Sequence, residues 1–173
     1  MTTTPVLKKY VASLRGVGPG GIPVAAPDGI RLHGATLAVH YSLTLEQYER
    51  FMRPFDLQLL EAIRGRGECH ILHAHGERLF FDRLADYPVH ALSWSDLNGG
   101  PTIADAGKRT RLTLMAGLDH VRFAEMSAEA VRTQVRAART QGGPTRFFLA
   151  PGCSVPTYAY PPLLRAARAA VAG

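Results

Sequence analysis

The sequence predicts an α/β domain built on a parallel sheet, and three observations carry that prediction. Strand-like and helix-like patterns alternate five times between residue 29 and the carboxyl terminus. The connections between them are short, as in βαβ units with right-handed crossovers. The strands are mostly apolar runs rather than strict alternations, which suits a sheet covered by helices.

Taken in order, the first readable segment is a short helix over Leu7–Leu14, ended by the glycine-rich Gly16–Gly21 stretch. Gly29–His33 alternates like a strand. Ser42 or Thr44 caps a long amphipathic helix whose apolar residues run from Leu45 through Tyr48, Met52, Phe55 and Leu59 to Ile63. Pro54 should bend or divide that helix, and Gly65 and Gly67 stop it. Cys69–His75 is the second strand, followed by a helix over Arg78–Ala85. Val89–Ser95 is the third strand, then an Asp96–Pro101 turn and a helix from Thr102 to Arg109. Leu112–Leu118 is the fourth strand. Ser127 caps a helix with Val131, Val135 and Ala138 on one face, closed by Gly142 and Gly143. Arg146–Ala150 is the fifth strand, and Pro161 and Pro162 open a last helix, Leu163–Val171. The division is therefore a poorly defined segment, 1–27, and a domain, 28–173.

Size and charge bound the function. A chain of 173 residues suits one domain with a core of its own. A closed (β/α)8 barrel takes about 250 residues and rarely fewer than about 200, so only part of one would fit. The formal net charge is +6 and the pI about 9.7. Of the twenty basic residues only Lys8, Lys9 and Lys108 are lysine, and the arginines are scattered, so solvated helix faces explain the charge and no nucleic-acid partner is expected. Two cysteines make no disulfide framework. No secretory signal and no membrane-length apolar run is evident, so a soluble cytoplasmic protein is the expectation.

Ligands of parallel sheets and barrels bind at the carboxyl ends of the strands. Here those ends carry His33, His73-Ala-His75-Gly-Glu77, Ser93-Trp-Ser95-Asp96, Asp119-His120 and Pro151-Gly-Cys153-Ser154. His73 and His75 are two apart and face one side of a strand. With the Cys153 thiolate they form a donor set suited to zinc, and Asp96, Glu77, water or a substrate sulfur could complete a tetrahedron. The same residues serve equally as a hydrogen-bonded interior histidine and a small buried hydrophobe, and both readings stay open at this point. Asp96, Asp119 and His120 are candidate catalytic acid/base groups, although Asp119 could equally cap the following helix. His33, Glu77 and Ser95 are candidate substrate-binding residues. Trp94 reads as a packing residue, and Cys69 and His70, at the start of their strand, take no role.

The blocks Ile71–Gly76, Ala91–Asp96, Leu114–Asp119 and Ala150–Thr157 resemble successive blocks of the uroporphyrinogen decarboxylase family, and Asp28–Ile30 and the Leu45–Ile63 helix fit the same order. The resemblance covers about residues 28–171, and it implies the last five units of a (β/α)8 barrel. Two departures separate this chain from true decarboxylases. Pro151-Gly-Cys153 stands where they carry Gly-His-Gly, and their substrate-holding arginine and aspartate lie in an amino-terminal half without a counterpart here. The corrinoid methyltransferase branch instead holds zinc with H-x-C and a distant cysteine. Carried over, His73 matches that histidine, Cys153 the distant cysteine, and His75 stands at the first cysteine. The resemblance thus implies zinc-dependent methyl transfer to a thiol, with a corrinoid as methyl donor. The alternatives are decarboxylation of a tetrapyrrole held by arginines, as in porphyrin biosynthesis, and a truncated protein that only binds. A partial barrel has two open edges, so a homo-oligomer or a partner subunit supplying the missing part is expected.

Overall fold

The computed structural model describes residues 32–38 (backbone only), 43–64 and 69–172. The expected Leu7–Leu14 helix, the Gly16–Gly21 break, the 27/28 boundary and the Gly65 and Gly67 stop lie outside these residues. Five strands form one parallel sheet: β1 Leu32–Ala38, β2 Cys69–His75, β3 Ala91–Ser93, β4 Thr113–Leu118 and β5 Phe147–Pro151. Their spatial order is β1-β2-β3-β4-β5, with each strand paired to its sequence neighbour. A doubly wound sheet reverses its strand order at a switch point, whereas a barrel advances one strand at a time. This sheet advances throughout. The fold is part of a (β/α)8 barrel, and β1 and β5 are its edges among the described residues.

The first strand lies later than the Gly29–His33 expectation. Leu32 pairs with Cys69 and Ala38 with His75, which puts His33 opposite His70 near the amino end of the sheet. Alternation had suggested where a strand begins, and pairing with β2 carries it onward through Ala35-Thr-Leu-Ala38.

Thr44 supplies the first helix cap. Its hydroxyl accepts from the Gln47 N–H (3.2 Å) while the Gln47 side chain accepts from the Thr44 N–H (2.8 Å). Pro54 divides the helix into α1 (Leu45–Phe51) and α2 (Arg53–Ile63), because proline lacks the N–H and suits a helix's first turn. The helix expected over Arg78–Ala85 shrinks to one turn, α3 (Phe81–Leu84). Then come α4 (Ile103–Arg109), capped by Thr102, and α5 (Ala128–Gly142), capped by Ser127 and ended by Gly143. Finally α6 (Pro161–Ala172) opens on its two prolines.

The helices pack on one face of the sheet. Leu72, Ala74, Leu92, Leu114 and Ala116 bury against Tyr48, Leu60, Ile63, Phe81, Leu84, Trp94 and Ile103. A second cluster joins Leu118 to Phe123, Val131, Val135 and Leu163. Trp94 is 0 % exposed, lies edge-on to Phe81 at 5.3 Å, and donates its indole N–H to the Pro101 carbonyl at 3.0 Å, so it is a packing residue as expected. Gly117 (φ +114) lies where α5 meets β4, and a Cβ there would strike Ala138.

The opposite face is different. The register puts Ile71, His73 and His75 of β2, Ser93 of β3, Met115 of β4 and Phe148 of β5 on it. Phe148 is 60 % exposed. In a closed barrel this face is the filled interior.

Candidate metal centre at the carboxyl ends of the strands

Three side chains converge beyond the strand ends. His75 closes β2, His120 follows β4 by two residues, and Cys153 follows β5 by two. One donor atom from each lies within 4.8 Å of the others. The His75 and His120 rings are 6.3 Å apart and nearly perpendicular. The loops reach this geometry through close backbone approach. At Gly152 a Cβ would sit 2.6–2.7 Å from Ser95, so only glycine lets the β5 loop pass over the β3 loop and bring Cys153 inward.

The trio differs from the His73, His75 and Cys153 set that the spacing suggested. His73 faces the same way as His75, at 6.2 Å between rings, but two residues along a strand is a rise of about 6.6 Å. That places His73 below the rim, level with Ser93, whose hydroxyl lies 3.1 Å from its Nδ1. His120, expected as an acid/base group, takes the place among the donors that His73 was given. Burial and the neighbouring His75 hold its proton affinity below the ordinary histidine value, against the opposing pull of Asp119. Burial does the same for His73, reinforced by His75 and His120. Neutral imidazole is the form that binds metal.

The His120 Nδ1 is buried and has no hydrogen-bond partner among the described residues. Buried polar atoms are nearly always satisfied, so an orphan beside a second imidazole and a thiol calls for a ligand. Two nitrogen donors and one sulfur donor fit zinc in type and number, with one position left open.

Asp119 is tied into the loop beside this cluster. Its Oδ1 accepts from the Val121 N–H (3.0 Å), the Arg122 N–H (3.2 Å) and Asn98 (3.3 Å), and its Oδ2 from Arg122 Nε (2.8 Å). Both oxygens are engaged, so the carboxylate anchors the loop that carries His120. Asp96 is also committed: its Oδ1 accepts from the Gly117 N–H at 2.9 Å and ties the β3 loop to β4. Burial raises its proton affinity, opposed by that bond. It lines a shallower neighbouring depression with Arg78 and Arg109, not the cavity at the cluster.

That cavity measures about 320 Å3 and is lined by His75, His120, Glu77, Ser95, Asn98 and Gly152, among others. Glu77 and Ser95 were expected in it; Asn98, Val121 and Gly152 were not assigned to it, although the Asn98-Gly-Gly turn and the Pro151-Gly-Cys153 strand end each carried a sequence signal. His33 lies at the far end of the sheet by register, which removes the reason for assigning it to substrate. No lysine or arginine is among the described lining residues. The arginines pair instead on the outer helices, as in Arg53 with Asp86, Arg83 with Glu49 and Arg136 with Glu129. Among the described residues, arginines line the neighbouring depression, as Arg78 and Arg109 do, and not this cavity.

Residues 36–172 match the family described as Uroporphyrinogen decarboxylase (URO-D). The chain belongs to the URO-D family. No curated protein matches the sequence significantly. Among solved structures it is similar to a methyltransferase from Methanosarcina mazei, with a TM-score of 0.64 and 16% identity, over 79% of this chain and 41% of that one. At that identity the likeness concerns the fold. The URO-D chain described here spans about two fifths of that methyltransferase's length. Among its described residues no helix is long and apolar enough to cross a membrane.

Proposed function

We propose that this URO-D-family chain binds zinc through His75, His120 and Cys153 and transfers a methyl group to a thiol. The observation that carries the reading is the convergence of one donor atom from each of those residues within 4.8 Å, on a His120 ring that also has a buried, unpartnered nitrogen. Zinc bound there would supply a Lewis acid that lets a thiol ionise at neutral pH. The rest is the work of the chain. Asp119 and Arg122 hold the His120 loop, and Gly152 admits the Cys153 loop. His73, fixed by Ser93 at Nδ1, keeps its second ring nitrogen for the proton released from the S–H group. The thiolate sulfur forms a bond to the methyl carbon while the bond from that carbon to its donor breaks, and the electron pair leaves with the donor. A corrinoid is the donor this reading implies.

Zinc analysis of protein purified without chelators tests the reading. About one zinc per chain is expected, and Cys153→Ser should lower zinc affinity by about 100-fold or more. Metal-free protein, or unchanged affinity in the variant, would sink it. The edges that β1 and β5 form among the described residues, and the exposed inner face around Phe148, support a second proposal: a second copy or a partner subunit covers them. A stable monomer in light scattering, with no partner required for activity, contradicts this.

A further inference from the structure

The cavity beside the metal cluster has a charge unlike that of the chain. The protein carries +6 overall, yet the charged residue among the described cavity walls is a carboxylate, Glu77. Glu77 is exposed and makes no ion pair or hydrogen bond among the described residues, whereas Glu49, Asp82, Asp86, Asp105, Asp119 and Glu129 each hold an arginine or a lysine. Glu77 also borders the adjacent depression, where Arg78 and Arg109 lie, but neither arginine lines this cavity. The Ser95 hydroxyl is already taken up by Asn98 (3.2 Å), and Asn98 also donates to Asp119, so those two form a neutral, ordered wall. At about 320 Å3 the cavity is at the low end for small-molecule sites, roughly 300–1,000 Å3.

We propose that the thiol this site accepts is a small aminothiol, whose ammonium group is read by Glu77 while its sulfur occupies the open position at His75, His120 and Cys153. The inference rests on the metal-thiol reading above and adds the sign of the substrate's charge. Thiols bearing a sulfonate or carboxylate would face an unpaired carboxylate with no compensating cation among the described walls of this cavity, and are selected against.

Cobalt(II)-loaded full-length protein provides the test, because thiolate binding changes the cobalt absorption spectrum. The probes are 2-aminoethanethiol, 2-mercaptoethanol and 2-mercaptoethanesulfonate. An ammonium group acidifies its own thiol, so the deciding quantity is the change in preference on Glu77→Gln at equal cobalt content. The aminothiol should lose roughly five-fold in affinity relative to the neutral thiol in that variant, the size of an exposed ion pair. The sulfonate should gain by a similar factor, and both effects should shrink at high salt. A cobalt protein whose preferences are the same with and without Glu77, or which binds the sulfonate best, overturns this inference alone. A protein that takes up no cobalt overturns the metal site, and this inference with it.

Discussion

Two groups of titratable side chains stand out in this molecule, and they are built on opposite plans. Between α1, α2 and the turn after α3, Tyr48, Tyr87 and Asp56 form a closed chain. The two hydroxyls are 2.6 Å apart, and Tyr87 donates to Asp56 at 3.2 Å. Burial pushes Tyr48 up to about 12 and Asp56 up to about 6, and lifts Tyr87 as well. At the carboxyl rim, His75, His120 and Cys153 converge without completing one another, and a buried ring nitrogen is left over. Strongly perturbed groups often mark functional sites, but here the larger displacements belong to the enclosed network. What separates the two is satisfaction. The tyrosine–aspartate chain uses its hydrogen bonds within the fold and ties α1 and α2 to the turn after α3. The rim cluster has donors to spare and a cavity of about 320 Å3 beside it.

The sharpest way to break this contrast is to exchange the phenotypes. His120→Ala should cost about 100-fold or more in zinc affinity and leave the stability of the metal-free protein nearly unchanged. Tyr87→Phe should do the reverse. It strands the Tyr48 hydroxyl and the Asp56 carboxyl in the interior, at about 1–3 kcal/mol, and leaves zinc affinity intact. Urea unfolding of chelated protein and competitive zinc titration measure both quantities. If Tyr87→Phe weakened zinc as much as His120→Ala, the two regions would be one coupled system and the division drawn here would fail.

The same contrast explains how much could be read from the residues in advance. Helix caps and most strands were legible because they are local: Ser42 or Thr44, Ser127, Pro54 and the run Cys69–His75 each carry their own signal. The end of β1 was not, because its extent is set by pairing with β2 and not by its own alternation. The rim was legible as a place, since four strand ends pointed to it, but the donors that converge there differ in one member from the set that spacing suggested. Spacing puts His73 and His75 on one side of a strand without saying which level of the sheet the loops reach. Only the approach of Gly152 to Ser95 and the anchoring of the His120 loop by Asp119 decide that. The Tyr48–Tyr87–Asp56 network left no signal at all. Its members are 8 and 31 residues apart, and nothing local distinguishes Asp56 from a solvated helix carboxylate.

Asp56 gives a smaller effect, and one that tests the enclosed region alone. Burial disfavours its charged form more than the tyrosine hydroxyls favour it, so its value in the fold, about 6, lies above the ordinary 3.8. A group whose folded value is raised binds its proton more tightly in the native state. Its stabilising contribution is therefore complete below pH 3.8 and is lost as the pH rises through 6. The loss amounts to on the order of 2–3 kcal/mol between acid and neutral pH. Asp56→Asn keeps the shape and an acceptor for Tyr87 but has no proton to lose. The variant should match the parent near pH 4 and exceed it by about 2 kcal/mol at pH 8, measured by urea unfolding of chelated protein so that the histidines of the rim bind no metal. Every other titrating group is common to both proteins and cancels in the difference. Parallel stability curves from pH 4 to pH 8 would mean that Asp56 is ionised in the native state, with Arg53 or water reaching it, and that the network is less closed than its hydrogen bonds suggest.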